Sequence, residues 1–98
     1  MIDMQVRSEN GDVVTHGSHG IRWSQGLGQL DPERYPCLSS LLPYADAVFN
    51  ERQVERLRRE LSDQYIRGLI GEGAAVEAER LCKDVENGSH LYLWFVGD

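Results

Sequence analysis

A nearly continuous apolar and aromatic run, His90-Leu91-Tyr92-Leu93-Trp94-Phe95-Val96, lies close to the carboxyl terminus. Its length is typical of a β-strand and too short for a buried helix. Because the hydrophobicity is continuous rather than alternating, it predicts a strand in the interior of a sheet with both faces covered. Three aromatics within four positions make it the heaviest core element. The rest of the chain must therefore supply a sheet and its cover.

The amino-terminal segment predicts a β-hairpin, with strands near residues 2–7 and 12–16. Met4 and Val6 alternate with polar residues, and the second segment is rich in β-branched side chains. The tripeptide Asn10-Gly11-Asp12 between them contains residues that tolerate positive φ, as a tight turn requires.

A third strand is predicted over residues 35–43, where apolar and small polar residues alternate imperfectly between two prolines. Pro36 fits only the beginning or the edge of such a strand, and Pro43 would end it. Residues 17–34, between the hairpin and this strand, are rich in glycine and lack periodicity, so they predict a long connection.

Two helices are predicted between the third strand and the terminal run. The first begins after Asn50, a good N-cap with Gln53 in the capping-box position, and continues to about Ile66 with an apolar stripe at helical spacing. The second runs from about Ala74 to Glu86, and Asn87-Gly88 is a suitable stop.

The predicted fold class is α+β, with the order β-β-β-α-α-β. About four strands form a small, mainly antiparallel sheet, and the two helices pack on one of its faces. A chain of 98 residues with 41% hydrophobic content suits one domain, residues 1–98. No segment predicts a membrane span or an export signal, so we expect a cytoplasmic protein with no membrane partner.

The formal net charge of −6 bears on the partners of the chain. A nucleic-acid partner is not expected, because binding to phosphate backbones requires a basic surface. A protein partner with a basic surface, or a second copy of the chain, remains compatible with this charge. Cys37 and Cys82 lie far apart and have no neighbouring cysteine, so both are expected to be reduced and buried.

The residues that could carry chemistry are few. His16 and His19 lie three positions apart and could share a borderline metal ion, but zinc sites need three or four ligands and no third one is nearby. Nothing relates Cys37 or Ser39 to a histidine and a carboxylate, as a nucleophilic enzyme requires. We therefore predict no catalytic residue and no cofactor.

Residues suited to recognition are more common. Trp23 in the glycine-rich connection and Tyr35 at its exit combine aromatic anchors with a mobile backbone, which protein interfaces often use. Tyr44 and Asp46 precede the capped helix and form a second candidate, because a turn in that position presents polar groups rigidly.

Two parts of the chain resemble a group of short bacterial proteins without an assigned function. In that group a proline-tyrosine-glycine-aspartate turn leads to phenylalanine-asparagine and a helix, as Pro43-Tyr44-Ala45-Asp46 does here before Phe49-Asn50, with alanine in place of the glycine. An aromatic strand ending in glycine-aspartate follows in both. The resemblance covers about half of the chain. It implies a stand-alone intracellular domain, and the group has no known catalytic residues to carry over to this chain.

Together these features predict a non-catalytic, acidic protein-interaction domain of the immunity, inhibitor or accessory-subunit type. Acidic charge would speed its encounter with a basic partner. The alternative is a small-ligand or metal-binding domain that uses the loop carrying His16 and His19.

Overall fold

The computed structural model describes residues 1–97, so Asp98 of the terminal glycine-aspartate pair lies outside the described residues. The strands are β1 (Ile2–Ser8), β2 (Val13–Ile21), β3 (Ala47–Phe49) and β4 (Leu91–Val96). The helices are α1 (Gln25–Gly28), α2 (Glu51–Leu61), α3 (Gln64–Ile70) and α4 (Glu72–Asn87), and a 3-10 helix spans Leu38–Ser40. Within residues 1–97, no helix combines the length and the apolar content needed to cross a lipid bilayer.

The four strands form one antiparallel sheet in the order β2-β1-β4-β3. Strand β4 lies between β1 and β3, with Phe95 opposite Met4 and Leu93 opposite Val6. The α+β class, the antiparallel sheet and the interior position of the terminal run are therefore confirmed.

The two faces of β4 differ, and the prediction that both are covered is wrong. Leu93 and Phe95 are 0% and 1% exposed, whereas Tyr92, Trp94 and Val96 between and beside them are only partly buried. The Phe95 ring also meets Phe49 of β3 edge-on, with 5.6 Å between the ring centroids. The sequence does not show this alternation of buried and exposed positions, because the residues on both faces of the strand are apolar or aromatic. A partly exposed aromatic residue contributes to a hydrophobicity pattern as much as a buried one does.

Helices α2 and α4 cover one face of the sheet and build the core with it, as predicted. Each contributes an apolar stripe at helical spacing. The buried apolar members of these stripes are Val54, Leu57 and Leu61 of α2 and Ala74, Ala75, Ala78, Leu81, Cys82 and Val85 of α4.

The helix count differs from the prediction, because the first predicted helix is two helices. Helix α2 ends at Leu61, and Asp63 has extended backbone angles and accepts a hydrogen bond from the Tyr65 backbone N–H, so it caps α3. Gly71, at φ +92°, then separates α3 from α4. Only glycine adopts this angle without strain, so the break expected between the two predicted helices occurs at Gly71. The break that the apolar periodicity did not mark is the one between Leu61 and Gln64.

The prediction of a third strand at residues 35–43 is wrong. These residues form turns around the 3-10 helix. The backbone N–H groups of Cys37 and Leu38 donate to the Glu60 carboxylate at 3.1 and 2.9 Å, so they are not available for a sheet ladder. The third strand is instead β3, directly before the capping box of α2. That box is formed by Asn50 and Gln53 as predicted.

The predicted connection at residues 17–34 is also shorter than expected, because β2 continues to Ile21 and α1 interrupts the remainder. Pairing with β1 is irregular between His16 and Gly20, where β2 bulges. A Cβ on Gly17 would lie 2.6 Å from a Glu77 carboxylate oxygen and 2.9 Å from the Met4 carbonyl oxygen. The glycine thus permits close contact between β2 and α4.

Candidate functional site

Within residues 1–97, no helix covers the side of the sheet opposite α2 and α4, and we call this side the open face. Its strands present alternate residues there, in register with one another. The open face consists of Asp3, Gln5, Arg7, Val13, His16, Val48, Tyr92, Trp94 and Val96. It combines apolar side chains, two aromatics and one arginine on a rigid sheet.

A stacked pair lies at the centre of the open face. The Arg7 guanidinium carbon lies 4.2 Å from the centroid of the Trp94 ring, a cation–π distance. The Arg7 Nε also donates to the Gln5 side-chain oxygen at 2.9 Å, which holds the guanidinium in place. Tyr92 is opposite Arg7 in the register. Tryptophan, tyrosine and arginine are the residue types that dominate binding hot spots.

Carboxylates lie at both ends of this face. Asp3 is opposite Val96 at one end, and the Asp46 carboxylate there accepts a hydrogen bond from the Gly97 backbone N–H at 3.1 Å. Glu9 and Asp12 lie at the other end, in the β1–β2 turn. The open face therefore has an aromatic centre between two acidic ends.

Tyr44 and Asp46, two of the residues predicted to bind, lie in the turn that leads into β3. Tyr44 is 85% exposed and lies beside the end of the open face that carries Asp3 and Asp46. The aspartate is a turn acceptor through its bond to Gly97, so it fixes the strand ends as well as contributing charge.

The structure places Trp23 and Tyr35 elsewhere. Tyr35 is buried, and its hydroxyl donates to the Asp63 carboxylate at 3.0 Å. Burial and this hydrogen bond raise the pKa of Tyr35 above its usual value. Trp23 is partly buried and packs against the core cluster. Both aromatics thus anchor the long connection to the core and are not brought together with Tyr44 and Asp46.

His16 and His19 point to different environments. His16 is opposite Gln5 and belongs to the open face, whereas the His19 Nδ1 lies 3.3 Å from the Glu77 carboxylate of α4. In the part of the chain that the structure describes, no three histidine, cysteine or acidic side chains form a group that could hold a metal ion. The two imidazoles therefore do not converge on a shared ligand.

Glu77 is a buried carboxylate that the sequence analysis did not single out. It is 5% exposed and accepts from the Ser18 and His19 backbone N–H groups, each at 2.8 Å, and from the Ser18 hydroxyl at 2.7 Å. Burial alone would raise the pKa of Glu77, but the hydrogen bonds from Ser18 and His19 outweigh it and lower the pKa to about 2. The carboxylate thus holds the β2 bulge against α4.

Glu60 has the matching role on α2, where its carboxylate receives the Cys37 and Leu38 N–H groups. A glutamate within an apolar helical stripe was the available sequence signal for both residues, since a buried charge needs several donors. These donors come from segments distant in sequence, so the signal could not name them.

The two cysteines are buried and not paired with each other. Burial raises the pKa of each thiol to about 12, and the nearby Glu60 carboxylate adds to the shift at Cys37. At neutral pH both are thiols rather than thiolates, so neither is an activated nucleophile. The Cys37 thiol donates instead to the Gln53 carbonyl oxygen at 3.8 Å.

No protein-family model, curated protein or solved structure matches this chain. Its function has to be inferred from its own residues and their geometry.

Proposed function

We propose that the protein is a non-catalytic, cytoplasmic interaction domain of the immunity, inhibitor or accessory-subunit type. Its open face binds a partner protein whose surface is basic around an apolar patch. The observation that carries this proposal is the Arg7–Trp94 stack beside Tyr92, partly exposed at the centre of a sheet face that has no helix over it.

The stack favours binding because it is ordered before a partner arrives. Arg7 is held by Gln5 on one side and by the Trp94 ring on the other, so it loses little conformational freedom on association. Trp94 and Tyr92 offer large rigid surfaces that become buried, which is the main favourable term in association.

Charge supports a basic partner. The net charge is −6, and Asp3 and Asp12 at opposite ends of the open face make no ion pair within the described residues 1–97. Their free carboxylates would attract a cationic surface and align it with the aromatic centre. Such steering raises the association rate and weakens as salt rises.

The small-ligand or metal alternative has weaker support. It requires His16 and His19 to act together, whereas the His19 ring lies against Glu77 and His16 belongs to the open face.

The test is to identify a partner and then measure its affinity with pure components. The tagged protein captures partners from its native cell extract, mass spectrometry identifies them, and each is titrated calorimetrically at two salt concentrations. We expect a basic protein whose affinity falls with salt and is lost in Trp94→Ala. Tyr65→Ala is the matched control, because Tyr65 is an exposed aromatic on α3, away from the sheet.

Three outcomes would contradict the proposal. The first is a partner that Trp94→Ala binds as tightly as the wild type does. The second is an acidic partner. The third is self-association: if sedimentation shows a dimer that Trp94→Ala dissociates, the occupant of the open face is a second copy of the chain.

A further inference from the structure

A groove of about 650 Å³ runs along the free edge of the sheet, at the margin of the open face. Strand β3 is the last strand of the sheet and forms one side of this groove. The segment before β3 also contributes to the lining through Pro36, Cys37 and Ser40, and α2 contributes Arg52 and Arg56. The groove is therefore bounded by an edge strand, a loop and the first turns of a helix.

The backbone of β3 is paired on one side only. Strand β4 occupies its inner side through the pairs Ala47–Phe95, Val48–Trp94 and Phe49–Leu93. Within residues 1–97, no other backbone or side-chain group forms a hydrogen bond with Ala47, Val48 or Phe49. Because each strand residue carries a donor and an acceptor, the outward groups of β3 face the groove without a protein partner.

The other edge of the sheet is different. Strand β2 forms that edge, but the N–H groups of Ser18 and His19 in its bulge already donate to Glu77. These two donors of β2 are thus closed to strand addition, as natural sheets commonly protect their edges. Among the described residues, no side chain bonds to the β3 edge in a comparable way.

The groove is also basic in an otherwise acidic protein. Arg52 makes no ion pair in the described part of the chain, and Arg56 has only Glu60, at 3.8 Å. The Glu60 carboxylate is itself engaged by the Cys37 and Leu38 N–H groups. The one acidic residue that lines the groove, Asp46, precedes β3 and is bonded to Gly97. The end of the groove beside α2 therefore favours anionic side chains.

We infer that this groove binds an extended, acidic peptide segment of another protein, which adds to the sheet as a fifth strand beside β3. Main-chain hydrogen bonds to the β3 edge supply the affinity, and Arg52 and Arg56 select acidic side chains. The groove shares Val48 and Asp46 with the open face. The inference is nevertheless independent of the proposed function, because it rests on the β3 backbone edge and the two arginines and not on the Arg7–Trp94 stack.

A nitrogen-15 NMR titration tests the inference directly. The probe is an octapeptide of alternating threonine and glutamate with both termini capped. The control peptide has lysine in place of glutamate. We expect the acidic peptide to shift the backbone amide signals of Ala47, Val48 and Phe49 in a saturable way, and the lysine peptide to leave them unchanged. Two N-methylated versions of the acidic peptide separate strand addition from simple charge attraction. One carries methyl groups on the N–H groups of its odd-numbered residues and the other on those of its even-numbered residues, so each blocks one edge of the extended peptide. If the peptide adds to β3 as a strand, the version blocked on the edge that faces β3 must lose binding.

Protein variants test the role of the arginines. Arg52→Gln and Arg56→Gln should each weaken binding about two- to fivefold, and the double variant about tenfold. Lys83→Gln removes the same charge from the exposed side of α4 and should leave the affinity unchanged. The inference is overturned if the acidic peptide does not bind at millimolar concentration, if the lysine peptide binds equally, if both N-methylated peptides keep full affinity, or if the double variant binds like the wild type.

Discussion

The two faces of the sheet are built by the same strands and serve different ends. On the covered face, Leu93 and Phe95 are buried beneath α2 and α4. On the open face, Trp94 and Tyr92 lie one residue away and remain partly exposed, with Arg7 stacked on the indole. Adjacent residues of β4 therefore stabilise the core on one side and, in the proposed function, bind a partner on the other. In the described part of the chain, helices cover one side of the sheet only, and the hydrophobic content of β4 does not reveal which of its sides is buried.

The largest expected effect is on the covered face. Leu93→Ala should lower the free energy of unfolding by about 2–5 kcal/mol, because it removes buried methyl groups and leaves a cavity beneath the helices. Urea denaturation measures this loss. Val48→Ala, an apolar truncation on the open face, is the control and should change stability by less than about 0.5 kcal/mol. Equal losses for the two variants would remove the distinction between the faces.

Glu77→Gln weakens the contact between α4 and the edge strand β2. The amide retains one acceptor oxygen and places a donor against the N–H groups of Ser18 and His19. We expect a loss of about 1–3 kcal/mol in the free energy of unfolding, since buried donors are left without a partner. Glu33→Gln, at an exposed position, should be neutral. If both variants unfold at the wild-type urea midpoint, Glu77 does not hold the bulge.

The pH dependence of stability sharpens the same point. The pKa of Glu77 is about 2 in the folded protein, against 4.5 for a free glutamate, so the folded state favours the charged form. Its contribution is present above pH 4.5 and is lost as pH falls toward 2. The stability difference between the wild type and Glu77→Gln should therefore shrink across that range. Urea titrations at successive pH values measure it, and a constant difference would assign the hydrogen bonds no part in stability.

A smaller loss of stability than at Leu93 is expected at Trp94. Trp94→Ala should cost about 1–2 kcal/mol, less than Leu93→Ala, because the ring is only partly buried and loses its contact with Arg7. If both faces of β4 were covered, as the sequence predicts, the two variants would lose similar amounts of unfolding free energy. Denaturation of both variants under one condition decides between them, and a greater loss at Trp94 would mean that the open face is packed like a core.

Much of the fold could be predicted from local patterns. The hairpin, the capping box at Asn50, the helix that became α4 and the interior strand β4 all depend on residues close in sequence. The errors arose where distant groups decide the backbone. Residues 35–43 resemble a strand locally, but Glu60, 23 residues after Cys37, captures their N–H groups. The β2 bulge depends in the same way on Glu77, 59 residues after Ser18.

The candidate site was less accessible to sequence reasoning. Tyr44 and Asp46 were recognised from their turn, and the structure places them at one end of the open face. The Arg7–Trp94 stack was missed because it depends on the register between the first and last strands, which no local pattern gives. Hydrophobicity alone predicts a core position for Trp94, whereas the structure leaves it partly exposed.

The most direct test of the open face is the accessibility of Trp94 with and without its partner. The chain has two tryptophans, so Trp23→Phe leaves Trp94 as the only indole emitter. Acrylamide should quench its fluorescence readily in the free protein, and saturation with the basic partner identified by capture should protect it. An indole already shielded in the free protein, or quenching unchanged in the complex, would contradict the assignment of this face to recognition.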